Sequence, residues 1–227
     1  MRGYKQVFSI LFFTALGLYA GTAFALDRTD VIFYSGFEDT LTAEIAKGEQ
    51  GPVSAGAHEF AEGITGKGVI VDGRITYSYG NNINPEESTV SFWMKPSGWG
   101  STDLKTGQYN FFVVHGTPAM QVTSVYWGVT RFYIYYPGEK NTANVFKYYR
   151  FERDKWYHIA VAWKSGKEAK FFINGVLINR ITDKVPEVRS GVNFSMGAPM
   201  TIFDELIILK RALKDEEITA LFFRDLR

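Results

Sequence analysis

The feature that most constrains the fold is a run of three short apolar segments joined by tight turns within residues 155–180. Asn174-Gly175 separates the second segment from the third. Both residue types tolerate the positive φ angles of a two-residue turn, so this pair between apolar runs indicates a β-hairpin. In the first segment large apolar residues alternate with His158 and two alanines, which predicts one buried face and a partly exposed His158. The run therefore predicts a three-stranded antiparallel meander.

Short segments with strand character recur along the rest of the chain. Residues 88–95 (STVSFWMK) show clear period-two alternation. Further strands are predicted over residues 31–37, 68–72, 75–79, 111–115, 124–129, 131–136, 145–151, 193–196 and 203–209. Residues 38–49 are predicted as a polar helix or loop, residues 48–68 mainly as loop, and residues 214–224 as one helix that begins with acidic side chains. This pattern predicts an all-β fold, a two-sheet antiparallel jelly-roll sandwich with one short C-terminal helix.

The N-terminal segment has the organisation of a signal peptide. Arg2 and Lys5 precede an apolar run, and Ala23-Phe24-Ala25 is a small-x-small cleavage site. The alternative is an uncleaved anchor. We predict a signal peptide over residues 1–25 and one domain over residues 26–227, exported to the periplasm or secreted, with no later membrane span.

Charge and cysteine content narrow the class of partner. The 227 residues contain 25 Lys and Arg, 24 Asp and Glu, and no Cys. A nearly neutral chain is not expected to bind nucleic acid or an anionic membrane as its main partner. Without disulfides, the apolar core must stabilise the domain alone.

Four stretches, in order, resemble one family. They are GKGVIVDG, STVSFWMKP, WYHIAVAWKSGKEAKFFINGVLI and FDELIILKRALKDEEITALF. Together with the first strand they resemble the laminin-G-like, concanavalin-A-like jelly-roll family over nearly all of residues 31–222. The resemblance implies two curved antiparallel sheets, with the first strand beside the last and a concave sheet that often presents a ligand groove. Function varies widely on this fold, so the resemblance alone does not establish one.

The resemblance also implies a metal site. Members of the family often carry one structural calcium ion where the first and last strands meet. Asp39 and Asp204 fall at the resembling positions, with Asp72 a weaker candidate. The alternative is that Asp39 caps the segment that follows it and Asp204 accepts a hydrogen bond at a strand edge. A structural calcium ion is the single cofactor expected.

Catalytic patterns give little support for an enzyme. Glycan hydrolases of this fold need two carboxylates that face one cleft. Asp204 and Glu205 are adjacent and are predicted to face opposite ways, while Glu152 and Asp154 are more simply a charged turn before a strand. Nucleophile-elbow, zinc and phosphate-loop patterns are missing from the sequence. The sequence therefore predicts a non-catalytic domain.

Aromatic residues suggest what such a domain recognises. Candidate ligand contacts are Tyr133, Tyr135, Tyr149, Trp127 and Trp99, because flat rings with polar edges suit stacking on sugars. The alternative is that these rings belong to the core or cover a sheet. We predict an exported module that binds a glycan. A protein–protein or envelope assembly module is the first alternative, and a divergent glycan-processing enzyme is the second.

Overall fold

The computed structural model of the protein describes residues 27–101, 108–125, 129–135 and 142–225, so the predicted signal peptide lies outside the described residues. Two 3₁₀ turns (Arg28–Asp30 and Gly80–Asn82) and one helix, α1 (Asp215–Asp225), accompany the strands of this part of the chain. The sixteen strands of these residues are β1 (Val31–Ser35), β2 (Ile45–Ala46), β3 (Pro52–Ala55), β4 (His58–Glu62), β5 (Lys67–Val71), β6 (Ile75–Ser78), β7 (Glu87–Pro96), β8 (Gln108–Thr117), β9 (Ala119–Val125), β10 (Val129–Tyr135), β11 (Thr142–Tyr148), β12 (Tyr157–Lys164), β13 (Glu168–Ile173), β14 (Val176–Ile181), β15 (Ser190–Met196) and β16 (Thr201–Leu209).

These strands form two antiparallel sheets that pack face to face. Sheet A has the order β14-β13-β12-β7-β16-β1-β2, with β5 pairing to β16 and β4 to β5. Sheet B has the order β11-β10-β9-β8-β15-β6-β3. As predicted, β1 pairs with the last strand, β16. The prediction of an all-β, two-sheet jelly-roll sandwich with one short C-terminal helix is confirmed.

The main core lies between the two sheets. In β10 the buried residues Thr130, Phe132 and Ile134 alternate with half-buried ones, so one face of the strand points inward. Rings from both sheets meet in this layer, with the centroids of Phe33 in β1 and Phe194 in β15 5.2 Å apart, edge to face. The other face of β10 forms part of the outer surface of sheet B.

The central meander is confirmed. Strands β12, β13 and β14 pair in sequence, and the turn between β13 and β14 has φ angles of 51° at Asn174 and 71° at Gly175. A Cβ atom at Gly175 would lie 3.1 Å from the Phe222 side chain in α1. Gly175 therefore permits the positive φ of the turn and also leaves room for the helix to pack closely.

Helix α1 covers part of the outer face of sheet A and changes what is buried there. Ile218 and Leu221 of the helix pack in a second apolar cluster with sheet residues that include Ala160, Ala162 and Phe172. His158, predicted to be partly exposed, is fully buried, because its ring lies between Trp93 and Phe222 with centroid distances of 5.2 and 5.8 Å. That expectation was wrong because strand alternation does not reveal whether a helix covers the second face.

Several local expectations were also wrong. The strand predicted over residues 124–129 is instead the end of β9 and the start of β10, which are Ala119–Val125 and Val129–Tyr135. The predicted polar helix or loop contains β2, and the predicted loop region contains β3 and β4. Strand β4 is mostly exposed and pairs with β5 along its whole length. Its pairing partner, rather than an apolar pattern, therefore makes it a strand.

Candidate functional site

The outer face of sheet B carries a row of side chains that crosses six strands. Cross-strand pairing places side by side, in order, Asn144, Tyr133, Gln121, Val113, Ser195 and Thr76. We call these residues the polar row. At roughly 4.8 Å between strands the row spans about 24 Å, and within it Val113 and Ser195 are only 4% and 2% exposed.

Two tyrosines lie on this face in β10, beside the edge strand β11. The rings of Tyr133 and Tyr135 are stacked, with centroids 5.1 Å apart and an interplanar angle of 29°. Gln121 fixes both rings, because its Oε1 accepts from the Tyr133 hydroxyl at 2.6 Å and its Nε2 donates to the Tyr135 hydroxyl at 3.0 Å. The Arg131 guanidinium carbon lies 4.9 Å from the Tyr133 ring centroid. The pair is therefore held in place before any ligand arrives.

Polar side chains extend this face from the tyrosines towards β6. Gln108 donates from Nε2 to the Oε1 of Gln121 at 3.3 Å, on the exposed surface. Farther along, the Ser195 hydroxyl is bonded to the Nε2 of His115 at 2.8 Å and to the Thr76 hydroxyl at 3.0 Å. The Gln108 and Gln121 amides can both donate and accept hydrogen bonds, as the hydroxyl groups of a sugar require, whereas the Ser195 hydroxyl is buried.

The shifted pKa values of Tyr133 and His115 keep both side chains neutral at physiological pH. Burial raises the pKa of Tyr133, although hydrogen bonding to Gln108 and the charge of Arg131 act in the opposite direction. Burial, assisted by the nearby charge of Arg74, lowers the pKa of His115 below its ordinary value. Tyr133 is therefore a neutral phenol and His115 a neutral imidazole at pH 7.

The other predicted ligand contacts lie elsewhere. Trp99 is 1 % exposed, donates from its indole to the Thr201 hydroxyl at 3.0 Å, and packs on Tyr109 at a centroid distance of 4.7 Å. Tyr149 packs against the core, 5.1 Å from the ring of Phe151. Trp127 lies outside the described residues. Of the five candidates, the structure brings Tyr133 and Tyr135 together on the surface and places Trp99 in the core.

Sequence reasoning missed Gln121, Gln108 and Arg131. A signal for Gln121 was present, because β9 (AMQVTSV) alternates between residues that face the core and residues that face outward. The strand was instead predicted five residues too late, which hid the pairing of Gln121 with Tyr133. The contact between Arg131 and the Tyr133 ring follows from their spacing of two residues on one strand.

The two predicted metal ligands occupy different surroundings. Asp204 is fully buried, and its Oδ2 accepts from the backbone N–H groups of Ile64 at 2.8 Å and Thr65 at 3.2 Å. Its Oδ1 accepts from the N–H of Glu205 at 2.7 Å. Asp39 is exposed, with a φ angle of 54°. The carboxylate that reaches the same β4–β5 turn is that of the neighbouring residue, Glu38, which accepts from the N–H of Lys67 at 3.1 Å.

These residues fit calcium in part. Burial raises the pKa of Asp204 to about 7, against the lowering effect of its backbone hydrogen bonds. A cation beside this carboxylate would relieve the cost of burying its charge. Calcium, however, takes six to eight oxygen ligands, and the described ranges contain no group of three or more His, Cys, Asp or Glu side chains suited to a metal. A site here would need backbone carbonyl oxygens.

The structure places the two pairs of carboxylates that the sequence raised in different surroundings. Glu205 has a φ angle of 51° at a bulge in β16, so strand parity does not determine the faces of Asp204 and Glu205. Glu152 pairs with the exposed Lys155 at 2.7 Å. Asp154 is a turn residue with a φ angle of 60°, and its N–H donates to the Pro96 carbonyl. The second pair is therefore the charged turn that the sequence also allowed.

Together, the fold and this face define a jelly-roll sandwich with a preformed aromatic and polar surface on one sheet. Residues 71–219, more than half of the chain, match the sequence profile of the concanavalin A-like lectin/glucanases superfamily (Laminin_G_3). The chain belongs to this family. No curated protein matches it in sequence.

Solved structures with the same fold share little sequence with the chain. Domain 4 of AbnA, an extracellular arabinanase from Geobacillus stearothermophilus solved with arabinotriose, superposes with a TM-score of 0.69 at 20% identity, over 85% of this chain and 98% of that domain. The binding domain of Paraclostridial Mosquitocidal Protein 1 gives a TM-score of 0.70 at 16% identity, over 86% of this chain and 52% of that one. The botulinum neurotoxin serotype G binding domain gives 0.69 at 12% identity, over 85% and 50%. The chain thus spans about half the length of these toxin domains.

Within the described ranges, no helix combines the length and apolar character needed to cross a bilayer.

Proposed function

We propose that the protein is an exported, non-catalytic module that binds a glycan on the outer face of sheet B, at Tyr133, Tyr135 and the polar row. The observation that carries the proposal is the Tyr133–Tyr135 stack held by Gln121. A preordered aromatic surface flanked by amides and hydroxyls can stack on pyranose or furanose rings and bind their hydroxyl groups. Export rests on the signal-peptide pattern of residues 1–25.

The location of the rings supports this use over a role in the core. Tyr133 and Tyr135 are half-buried on the side of β10 opposite to Phe132 and Ile134. Both hydroxyl groups bond to the side chain of Gln121, and not to groups of the sandwich interior. The domain of AbnA with the same fold was solved with arabinotriose, and a botulinum neurotoxin binding domain was solved with SialylT. These ligands indicate which glycans to test first.

We expect the double substitution Tyr133→Ala/Tyr135→Ala to weaken glycan binding by about 30-fold or more, since loss of a central aromatic contact typically costs about 2 kcal/mol. The measurement is calorimetry or affinity electrophoresis of residues 26–227 with arabinan, arabinotriose and sialylated oligosaccharides. Circular dichroism and thermal unfolding check that the variant keeps its fold.

A matched control is Phe223→Ala. Phe223 is an aromatic residue of α1, on the sheet A side of the molecule, and is 54% exposed. Its removal is expected to leave glycan affinity unchanged. Equal affinity of the wild-type protein and the double tyrosine variant would reject this face as the site, and collapse of the variant would place the tyrosines in the core.

The same experiment separates the alternatives. The assembly module would be indicated by two results together. The glycan screen would show no saturable binding, and the wild-type protein would retain a single extracytoplasmic protein that the tyrosine variant does not retain. Release of new reducing ends from a polysaccharide that binds would make the chain an enzyme and overturn the non-catalytic proposal.

We also propose one structural calcium ion at the junction of β16 and the β4–β5 turn, supported by the burial of Asp204 there. With calcium at 100 times its dissociation constant, binding adds about 2.7 kcal/mol, so the melting temperature is expected to rise by roughly 5–10 °C and a chelator to reverse the rise. Asp204→Asn is expected to remove this rise in melting temperature. Asp39→Asn tests the second predicted ligand, and Asp72→Asn tests the weaker candidate. If neither calcium nor chelator changes the melting temperature of the wild-type protein, the calcium proposal is rejected.

A further inference from the structure

Acidic residues are distributed unequally between the two sheets. The strands of sheet A contain six of them, Glu59, Glu62, Glu87, Glu168, Asp204 and Glu205. The seven strands of sheet B, as far as the structure describes them, contain no Asp or Glu, and their charged residues are Arg131 and Lys147. The sheet that carries Tyr133 and Tyr135 therefore presents basic charge without acidic strand residues to neutralise it.

Arg131 belongs to the same surface as the two tyrosines. Arg131, Tyr133 and Tyr135 follow one another on the outward side of β10. The Arg131 guanidinium carbon lies 4.9 Å from the centroid of the Tyr133 ring, and the Tyr135 ring is stacked on Tyr133 at 5.1 Å. An aromatic ring attracts a guanidinium through its electrons and supplies no oxygen acceptor. The cation is thus held beside the ring while its terminal N–H groups stay available to a ligand.

The guanidinium of Arg131 is incompletely paired within the protein. Its Nε is shielded from solvent and has no hydrogen-bond partner among the described residues. By contrast, Arg180 pairs with Glu168 at 3.2 Å and Arg211 with Glu217 at 2.8 Å. A shielded donor of a charged group without an acceptor costs free energy, so its presence calls for a partner from outside the chain. Because water solvates this part of the guanidinium poorly, an anion at its terminal nitrogens is attracted more strongly than by a fully solvated arginine.

An exposed ring lies on the other side of Arg131. Strand pairing puts Phe146 opposite Arg131 and Tyr148 opposite Val129, so Tyr148 and Arg131 lie on one face of the sheet. Tyr148 is 70% exposed. Residues two apart on a strand are separated by about 7 Å, which is close to the length of one sugar unit. The face therefore presents a ring, a cation and a second ring in succession.

From these observations we propose that the glycan bound on this face is acidic, and that the carboxylate of a uronic or sialic acid residue pairs with Arg131. The neighbouring sugar rings contact Tyr133 on one side and Tyr148 on the other. This inference rests on the proposed function, since it names the class of glycan that the same face takes. A carboxylate is planar and offers two oxygens at the spacing of the guanidinium N–H groups. Its charge also complements a sheet whose described strands carry basic residues and no acids.

The test compares glycans of the same shape that differ in charge. Calorimetric titrations of the protein use trigalacturonate against its methyl ester and sialyllactose against its methyl ester. We expect the acid of one pair to bind about tenfold more tightly than its ester, and salt to reduce the difference. The pair that shows the difference identifies the source of the carboxylate, a uronic or a sialic acid. Equal affinity of acid and ester in both pairs, or binding of arabinan alone, would overturn this inference and leave the proposed function in place. Binding of no glycan would overturn both.

Substitutions assign the preference for the acid to one side chain. Arg131→Gln is expected to lower affinity for the acid to that of its ester and to leave the affinity for the ester unchanged. Arg131→Lys keeps the charge without the planar donors, so it is expected to retain part of the preference. The matched control is Lys147→Gln, which removes the other strand charge of sheet B at an exposed position opposite the buried Thr130. It is expected to change affinity by less than about twofold.

Two results with these variants would contradict the role of Arg131. One is an Arg131→Gln protein that still prefers the acid. The other is an equal loss in Arg131→Gln and Lys147→Gln, which would indicate general attraction by basic charge. Thermal unfolding checks that each variant keeps its fold, and the comparison of acid with ester in the wild-type protein does not depend on any variant.

Discussion

Asp215→Ala is expected to lower the free energy of unfolding by about 3 kcal/mol, because it leaves a buried cation without its counter-ion. The Lys170 side chain is 5% exposed, and its ammonium lies 3.0 Å from the Oδ1 of Asp215. Burial alone would raise the pKa of Asp215, but Lys170 and then Arg180 bring it below its ordinary value. Lys170 also donates to the Leu213 carbonyl at 2.8 Å and so fastens the start of α1 to β13. Because Asp215 is 38% exposed, the expected loss in free energy of unfolding lies at the low end of the range for breaking a buried ion pair.

Denaturant titration of three single variants and one double variant tests this account. Glu216→Ala alters the next residue of the same helical turn, which is exposed, and is expected to cost less than about 0.5 kcal/mol. In a Lys170→Met background, Asp215→Ala is expected to cost much less than in the wild type, since no buried charge remains to be stranded. Additive losses in that double-mutant cycle would contradict the role assigned to Lys170.

Acid is expected to destabilise the domain through His158. Its ring is fully buried, its Nε2 is bonded to the Ser91 hydroxyl at 2.7 Å, and its Nδ1 has no partner among the described residues. Burial lowers the pKa of His158 to about 3, from an ordinary value of 6.5. Between these values the unfolded chain binds more protons than the folded one. Stability from this group is therefore complete above pH 6.5 and is lost as the pH falls, by about 3 kcal/mol at pH 4.

The measurement is the free energy of unfolding from pH 7.5 to pH 4 in chelator. We expect His158→Gln to remove most of the acid-dependent loss, while His58→Gln, at an exposed histidine, preserves it. Asp204 acts in the opposite sense. Its pKa of about 7 means that the folded state binds more protons between pH 3.8 and 7, so its contribution declines as the pH rises. Because both histidine variants retain Asp204, parallel pH profiles for wild type and His158→Gln would refute the assignment.

Sequence patterns predicted the architecture where a local rule sufficed. The Asn174-Gly175 turn follows from backbone conformation and the alternation of β10 from period-two burial, and both hold in the structure. Strand β12 pairs as predicted but is buried on both faces. His158 and Lys170 show where such rules stop. Both belong to the face of sheet A that α1 covers, and their burial depends on a helix that lies far along the chain.

The candidate site was predicted in the same uneven way. Placement of Tyr133 and Tyr135 on one face required alternation alone. Gln121 reaches them through the register of β9 with β10, and no local pattern sets that register. Trp99 was a candidate contact because its flat ring suits stacking on a sugar, yet it packs on Tyr109 and Phe111 inside the sandwich. The chemistry of a ring does not report where that ring is buried.

The position of β16 has a consequence for synthesis. This strand lies between β7 and β1 in sheet A, and β1 joins the rest of that sheet through it. While the ribosome is still translating the residues before Thr201, β1 and β7 have no strand to bridge them. We therefore expect the sheet to close after most of the chain has left the ribosome, by contacts of high sequence separation that form slowly. Until then β7, an almost entirely buried strand in the native domain, presents an unpaired edge that a chaperone would need to protect.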